Sequence, residues 1–246
     1  MFENINNDHL KHSYNVAKND FQGFDFTDLD KIFNVALANR ALFPNVARNT
    51  ENEIEYFKKW INRYKSVMEG LPSGKTAKPK NSCSDPAVRK IVEMARNLSN
   101  EEAIRLEKNH NLFMSAENIQ GNLLEEYIAS KIKPYGFLWA AGTVLRSVDF
   151  CNATGTCLLQ VKNKFNTENS SSNQIRNGTD IKKWFRLGER TCGGHHIPDY
   201  KWNDLNNVIN ENSIVPDIAP CNMSEDEYIE FIRDTATQKP DIITDE

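Results

Sequence analysis

Apolar residues recur at helical spacing through the first half of the chain and at strand spacing only later. This predicts a helical N-terminal region ahead of an α/β core. Ile54, Phe57, Ile61, Tyr64 and Met68 mark one helix face, opened by a Thr50–Glu53 capping box and closed at Gly70. Leu29, Phe33, Ala36 and Leu37 mark another. The stretch LPSGKTAKPKNSCSDP breaks the pattern with Pro, Ser and Lys and reads as a linker. After it, Ser84 is expected to cap PAVRKIVEMARNL, and Ser99 with Glu102 to open a further helix. The segment SAENIQGNLLEEYIASKIKP carries an apolar stripe of Ile119, Leu123, Tyr127 and Ile128, which leaves Glu125 and Glu126 at the two borders of its buried face. Two strand-like runs come next, FLWAAGTVLRSVDFC and TCLLQVKNKF, joined by the turn NATG. Further on, DIKKWFRL and YKWNDLNNVIN read as short amphipathic helices, and Ser224 with Glu227 caps a last one.

The hairpin sets a geometric expectation. With Asn152 opposite Gly155, Asp149 falls opposite Leu158, and side chains repeat a face every second residue. Asp149, Gln160 and Lys162 then point to one side, where two otherwise apolar strands end. A carboxylate, an amide oxygen and an ammonium would lie diagonally across neighbouring strands, and the Val161 carbonyl could join them. Such hard oxygen donors suit Mg2+, which keeps several waters and needs one or two carboxylates beside a phosphate. The candidate metal ligands are Asp149, Gln160 and Val161, and Lys162 is the candidate for orienting water and offsetting charge on phosphorus. Glu125 or Glu126 is a reasonable supplementary acid, since Gln160 is neutral where a second carboxylate is expected.

Charge sharpens this picture. The chain of 246 residues has a formal net charge of −4, yet the charge is segregated. From Leu158 to Arg190 seven Lys or Arg face three acids, whereas from Glu211 to Glu246 ten acids face two basic residues. A local basic strip is what phosphate contacts require, whatever the total charge; a solvated loop is the alternative. Within the strip, NTENSSSNQIRNGT is amide-rich and unfit for a core. Asn and Gln pair with adenine, Arg with guanine, and Ser with either. Asn166, Asn169, Ser170, Ser171, Ser172, Asn173 and Arg176 are therefore candidate readers of bases, and Lys164, Lys182, Lys183 and Arg186 candidate phosphate contacts.

Other signals exclude more than they suggest. No apolar run approaches the roughly 18 residues of a membrane span, and the polar N-terminus lacks a secretory pattern. Five scattered cysteines do not form a disulfide framework in a chain of this length, so a reducing cytoplasm is expected. Cys192, His195 and His196 offer half a zinc site without a second half. Phosphate-loop and dinucleotide motifs are lacking.

Asp149 with Gln160-x-Lys162 resembles the PD-(D/E)XK nucleases, whose core runs through a helix and a strand hairpin to an acid, then after a gap to acid-x-Lys. Asp149 matches the first acid and Lys162 the lysine; Gln160 departs from the usual Glu or Asp and leaves the number of bound metal ions open. The segment LLQVKNKFNTENSSSNQIRNGTDIKKWFR is similar to the SinI-type type II restriction endonucleases, over roughly residues 120–210. That resemblance implies an α/β fold with a nuclease-like mixed sheet flanked by helices, plus the N-terminal helical region. It implies a Mg2+-dependent endonuclease cutting double-stranded DNA at GGWCC, and a homodimer on that near-palindromic site. It further implies a prokaryotic cytoplasmic setting, with a cognate DNA methyltransferase that forms no stable complex with it. The expected divisions are residues 1–84, helical with the linker at 71–84; 85–215, the nuclease core with its DNA-recognition segment at 163–190; and 216–246, an acidic helix and tail. Two other readings remain: a DNA-binding protein with a degenerate, non-catalytic nuclease fold, and a helical interaction protein whose hairpin is only core.

Overall fold

The computed structural model describes residues 2, 5–46, 52–78, 84–164 and 178–244. Its helices are α1 (Asn7–Lys18), α2 (Thr27–Ala38), α3 (Glu53–Glu69), α4 (Pro86–Arg96), α5 (Asn100–Ile132), α6 (Trp202–Glu211) and α7 (Glu225–Gln238). A five-stranded sheet of order β1-β2-β3-β4-β5 is built from β1 (Phe137–Trp139), β2 (Phe150–Asn152), β3 (Leu158–Lys164), β4 (Ile181–Cys192) and β5 (His195–Tyr200). It is mixed, as expected: β3 and β4 pair in parallel, and the other neighbours are antiparallel.

The chain forms two compact units whose boundaries differ from the expected divisions. The first joins Met1–Gly70 to Tyr127–Tyr228, and the second joins Leu71–Glu126 to Ile229–Glu246. The physical reason lies in the aromatic residues. In the first unit, the rings of Tyr14, Phe33, Phe43, Tyr56, Phe57 and Trp60 interlock edge-to-face and stacked, and their core continues through Leu138, Val144, Val148, Cys151, Leu158 and Ile181. The N-terminal helices thus share a core with the sheet. A second set, Tyr127, Trp184, Trp202 and Tyr228, packs farther along the same unit. Trp184 is buried there, and its indole N–H donates to the Lys201 carbonyl at 2.8 Å.

Local signals hold to different degrees. The helix faces of α2 and α3 are buried as their spacing predicts. Ser99 and Glu102 form the reciprocal capping box at the start of α5, and Ser224 Oγ accepts from Glu227 N–H. The cap of α3 is instead Asn52, which accepts from Glu55 N–H at 3.0 Å; Thr50 lies outside the described residues. Asp85 caps α4, while Ser84 donates to Glu107. The two expected helices around residue 115 are one helix of 33 residues, α5. DIKKWFRL is not a helix: it opens β4. Pairing to β3 on one side and β5 on the other overrides its amphipathic spacing, because each strand edge supplies backbone partners that a short isolated helix would lack.

In the second unit, Arg89 and Ser84 anchor α4 to Glu107 of α5, and Ala77 bridges to Ile243 in parallel. Among the described residues, no helix is long and apolar enough to cross a membrane.

Candidate active site

Asp149 ends the loop that joins β1 to β2, and the sheet fixes it on several sides. Its backbone N–H donates to the Leu159 carbonyl at 2.9 Å, and its carbonyl accepts from Ala140 N–H at 2.8 Å. Its Oδ2 accepts from Val161 N–H at 2.7 Å, a donor that a continued antiparallel ladder would give to a backbone carbonyl. The carboxylate therefore ends the β2–β3 ladder and is oriented by doing so. Oδ1 takes no hydrogen bond among the described residues and lies against Gly142; a Cβ at that glycine would stand 3.2 Å from it.

The hairpin register differs from the expected one by two residues. Cys151 rather than Asp149 pairs with Leu158, and Phe150 pairs with Leu159. The loop begins after Asn152, whose Oδ1 accepts from Cys157 N–H and whose N–H donates to the Cys157 carbonyl. An even shift preserves the face, so Asp149, Gln160 and Lys162 still share a side. The residues before them on that side, Cys151 and Leu158, belong to the apolar core, and Gln160 and Lys162 follow where the core stops.

Electrostatically the site is poised between burial and pairing. Asp149 is 7% exposed, and this burial raises its pKa above the ordinary carboxylate value, against the pull of the Val161 N–H and the Lys162 ammonium. Gln160 is half-buried and Lys162 exposed. The oxygen donors of Asp149, Gln160 and Val161 fit a hard divalent cation that retains most of its waters. Among the described residues no group of three His, Cys, Asp or Glu is suited to hold a metal ion.

The remaining candidates divide. Glu126 is held by the backbone N–H (2.8 Å) and hydroxyl of Ser73, and Glu125, beside it, is half-buried; both belong to the second unit. Lys164 is exposed at the end of β3. Lys183 is the register partner of Gln160 and shares its face, whereas Lys182 is the partner of Leu159 and lies on the opposite one. Arg186, expected to contact phosphate, is 8% exposed; it donates to Asn163 Oδ1 and is ion-paired with Glu225 beneath the Tyr200 and Tyr228 rings. Its charge is committed to the fold. Asn166, Asn169, Ser170, Ser171, Ser172, Asn173 and Arg176 lie outside the described residues. Cys192 and His195 face each other across the Gly193–Gly194 hairpin, and His196 pairs with Glu189.

Spacing along the chain gave no hint of the contributions of Gly142 and Trp60. The Trp60 indole N–H donates to the Val144 carbonyl at 2.8 Å, across 84 residues of sequence, and so ties α3 to the loop that delivers Asp149.

Comparison with known proteins places the whole chain rather than the single site. The family described as SinI restriction endonuclease matches residues 38–234. The type II restriction enzyme Eco47I of Escherichia coli is 35% identical over 188 residues, which cover 74% of this chain and 72% of the relative. The type II restriction enzyme SinI of Salmonella infantis is 43% identical over 112 residues, covering 44% of this chain and 49% of the relative.

Proposed function

The chain belongs to the SinI restriction endonuclease family of site-specific DNA endonucleases, and within that family we propose a Mg2+-dependent enzyme that hydrolyses double-stranded DNA at GGWCC through Asp149, Gln160 and Lys162. The observation that carries this reading is the Asp149 carboxylate. It is buried, oriented by Val161 N–H through Oδ2 and, among the described residues, free of hydrogen bonds at Oδ1, on the face that Lys162 shares.

A bound divalent cation supplies positive charge to the scissile phosphate and to the attacking water. Asp149 Oδ1 would anchor it, with the Gln160 amide oxygen and the Val161 carbonyl as neutral partners. The Lys162 ammonium orients the water and offsets the charge that builds on the phosphorane oxygens. Lys164 and Lys183 contact phosphates, and Asn166, Asn169, Ser170, Ser171, Ser172, Asn173 and Arg176 read base edges. Two copies act on the two strands of a near-palindromic site, and a methyltransferase of the same system protects the host's own sites.

The test is digestion of plasmid DNA in Mg2+ followed by sequencing of the ends. Discrete fragments with GGWCC at every cut are expected, with no cutting in EDTA or by Asp149→Ala. Gln160→Glu, which adds a second charged ligand, should lower the Mg2+ concentration for half-maximal rate by about tenfold. Retention of duplex without cutting under any divalent ion would leave only a degenerate, DNA-binding fold; full activity of Asp149→Ala would remove the site from this carboxylate.

A further inference from the structure

A cleft of about 500 Å3 opens between α3 and the loop preceding Asp149, and its lining includes Pro44, Arg63, Gly142, Thr143, Arg146 and Ser147. Two guanidiniums flank it, and neither meets a carboxylate among the described residues. Arg63 donates to the carbonyls of Asn45 (3.3 Å) and Val46, neutral acceptors that orient it without cancelling its charge. Arg146 is exposed and its side chain has no partner among the described residues. The cleft's wall at Gly142 is also the wall behind Asp149 Oδ1. Gly142 thus borders both the cleft that Arg63 and Arg146 line and the carboxylate of Asp149.

The loop is built to hold this arrangement. Trp60 fixes the Val144 carbonyl, and Arg146 N–H donates to the Leu42 carbonyl at 2.7 Å. Ala141 and Ser147 adopt φ of 51° and 63°, a left-handed conformation uncommon for residues with a side chain and maintained only where the surroundings over-determine it.

We propose that this cleft binds a phosphodiester group of the duplex next to the bond that is cut, with Arg63 and Arg146 supplying the charge and the Ser147 hydroxyl a further donor. The guanidinium of Arg63, held by two carbonyls, matches phosphate geometry, and Arg146 adds charge beside it. The volume suits a stretch of sugar-phosphate backbone better than a small free anion. The N-terminal helices, through α3, thereby become part of the DNA-binding surface. This proposal rests on the reading of Asp149 given above.

The experiment measures affinity for two 30-base-pair duplexes, one carrying GGACC and one lacking it, with Ca2+ replacing Mg2+, over a range of KCl concentrations. Arg146→Ala should bind both duplexes about tenfold more weakly, and the slope of log affinity against log salt should fall in magnitude by about one. Arg146→Lys should recover most of the loss. Arg146 is exposed, so unchanged melting of the variant serves as the control for folding. Unchanged affinity and slope would overturn the proposal, as would a loss confined to the GGACC duplex, which would mean base reading. Asp149→Ala, run in parallel on the GGACC duplex in Mg2+, should fail to cut. If Asp149→Ala still cuts, the reading of the catalytic site fails, and the cleft's place beside the scissile bond fails with it, whatever Arg146→Ala does.

Discussion

Two walls flank Asp149, and they are built on opposite principles. On the α3 side the wall is rigid: fully buried rings, an indole hydrogen bond to Val144 and a backbone bond from Arg146 to Leu42 leave the loop little freedom. Along β3 the wall is open, with Lys162 and Lys164 exposed on a strand end and Lys183 beside Gln160. The contrast separates two tasks. An acid that must present one oxygen at a fixed place needs rigid support, because small displacements are expensive in catalysis. Flexible ammonium groups suit contacts that form only when a duplex arrives, and their attraction is long-ranged and adaptable.

The largest way to break this comparison is at its open side. Lys162→Ala should reduce kcat by about 10²–10³-fold, the scale for removing one preorganised electrostatic group, while duplex affinity measured in Ca2+ changes only a few-fold. Equal losses in both quantities would make Lys162 an ordinary phosphate contact. Next comes the rigid side. Trp60→Phe keeps an aromatic ring but orphans the buried Val144 carbonyl, at a cost of about 1–3 kcal/mol; thermal melting should fall by several degrees and kcat by about tenfold, with the salt dependence of binding untouched.

A smaller effect distinguishes neighbours. Lys183→Ala should weaken duplex binding several-fold and flatten its salt dependence by about one unit of slope, whereas Lys182→Ala, on the other face of the sheet, should do neither. Competition binding at two salt concentrations is enough to tell them apart.

The smallest effect concerns stability, and its sign follows from burial. The folded pKa of Asp149 lies above its unfolded value of 3.8, so the native state holds this proton more tightly. Stability is therefore lost as pH rises from the ordinary carboxylate range through the raised value. In EDTA at neutral pH, Asp149→Asn should melt higher, since the amide keeps the acceptor for Val161 without burying a charge. The advantage should vanish in acid. A variant that melts lower at neutral pH would mean that the charge, rather than the hydrogen bond from Val161, holds the strand end together.

The sequence made some of this legible because some of it is local. A hairpin brings Asp149 near Gln160 and Lys162 through a short turn, and a two-residue error in register does not change a face with period two. Helix faces such as Phe57, Trp60, Ile61 and Tyr64 are equally local. Caps were less legible, because Ser84 and Asp85, or Thr50 and Asn52, offer competing oxygens within two residues. Strand β4 was misread since Ile181, Trp184 and Phe185 fit a helical stripe, and only the edges of β3 and β5 decide otherwise. The cleft of Arg63 and Arg146 was beyond reach: 83 positions separate the two residues, and their meeting depends on one indole bond and one loop. Likewise, Arg186 looks like any other cation of the basic strip until Glu225, 39 residues on, is found against it.

The parallel pairing of β3 with β4 carries an evolutionary cost. The stretch proposed to recognise bases leaves from Lys164 and returns at Ile181, so both of its anchors are strands that flank the proposed cutting centre. A lineage that drifts toward a new target word must remodel a segment moored at each end to its own blade, and altered preference should arrive together with slower cleavage until the strands readjust.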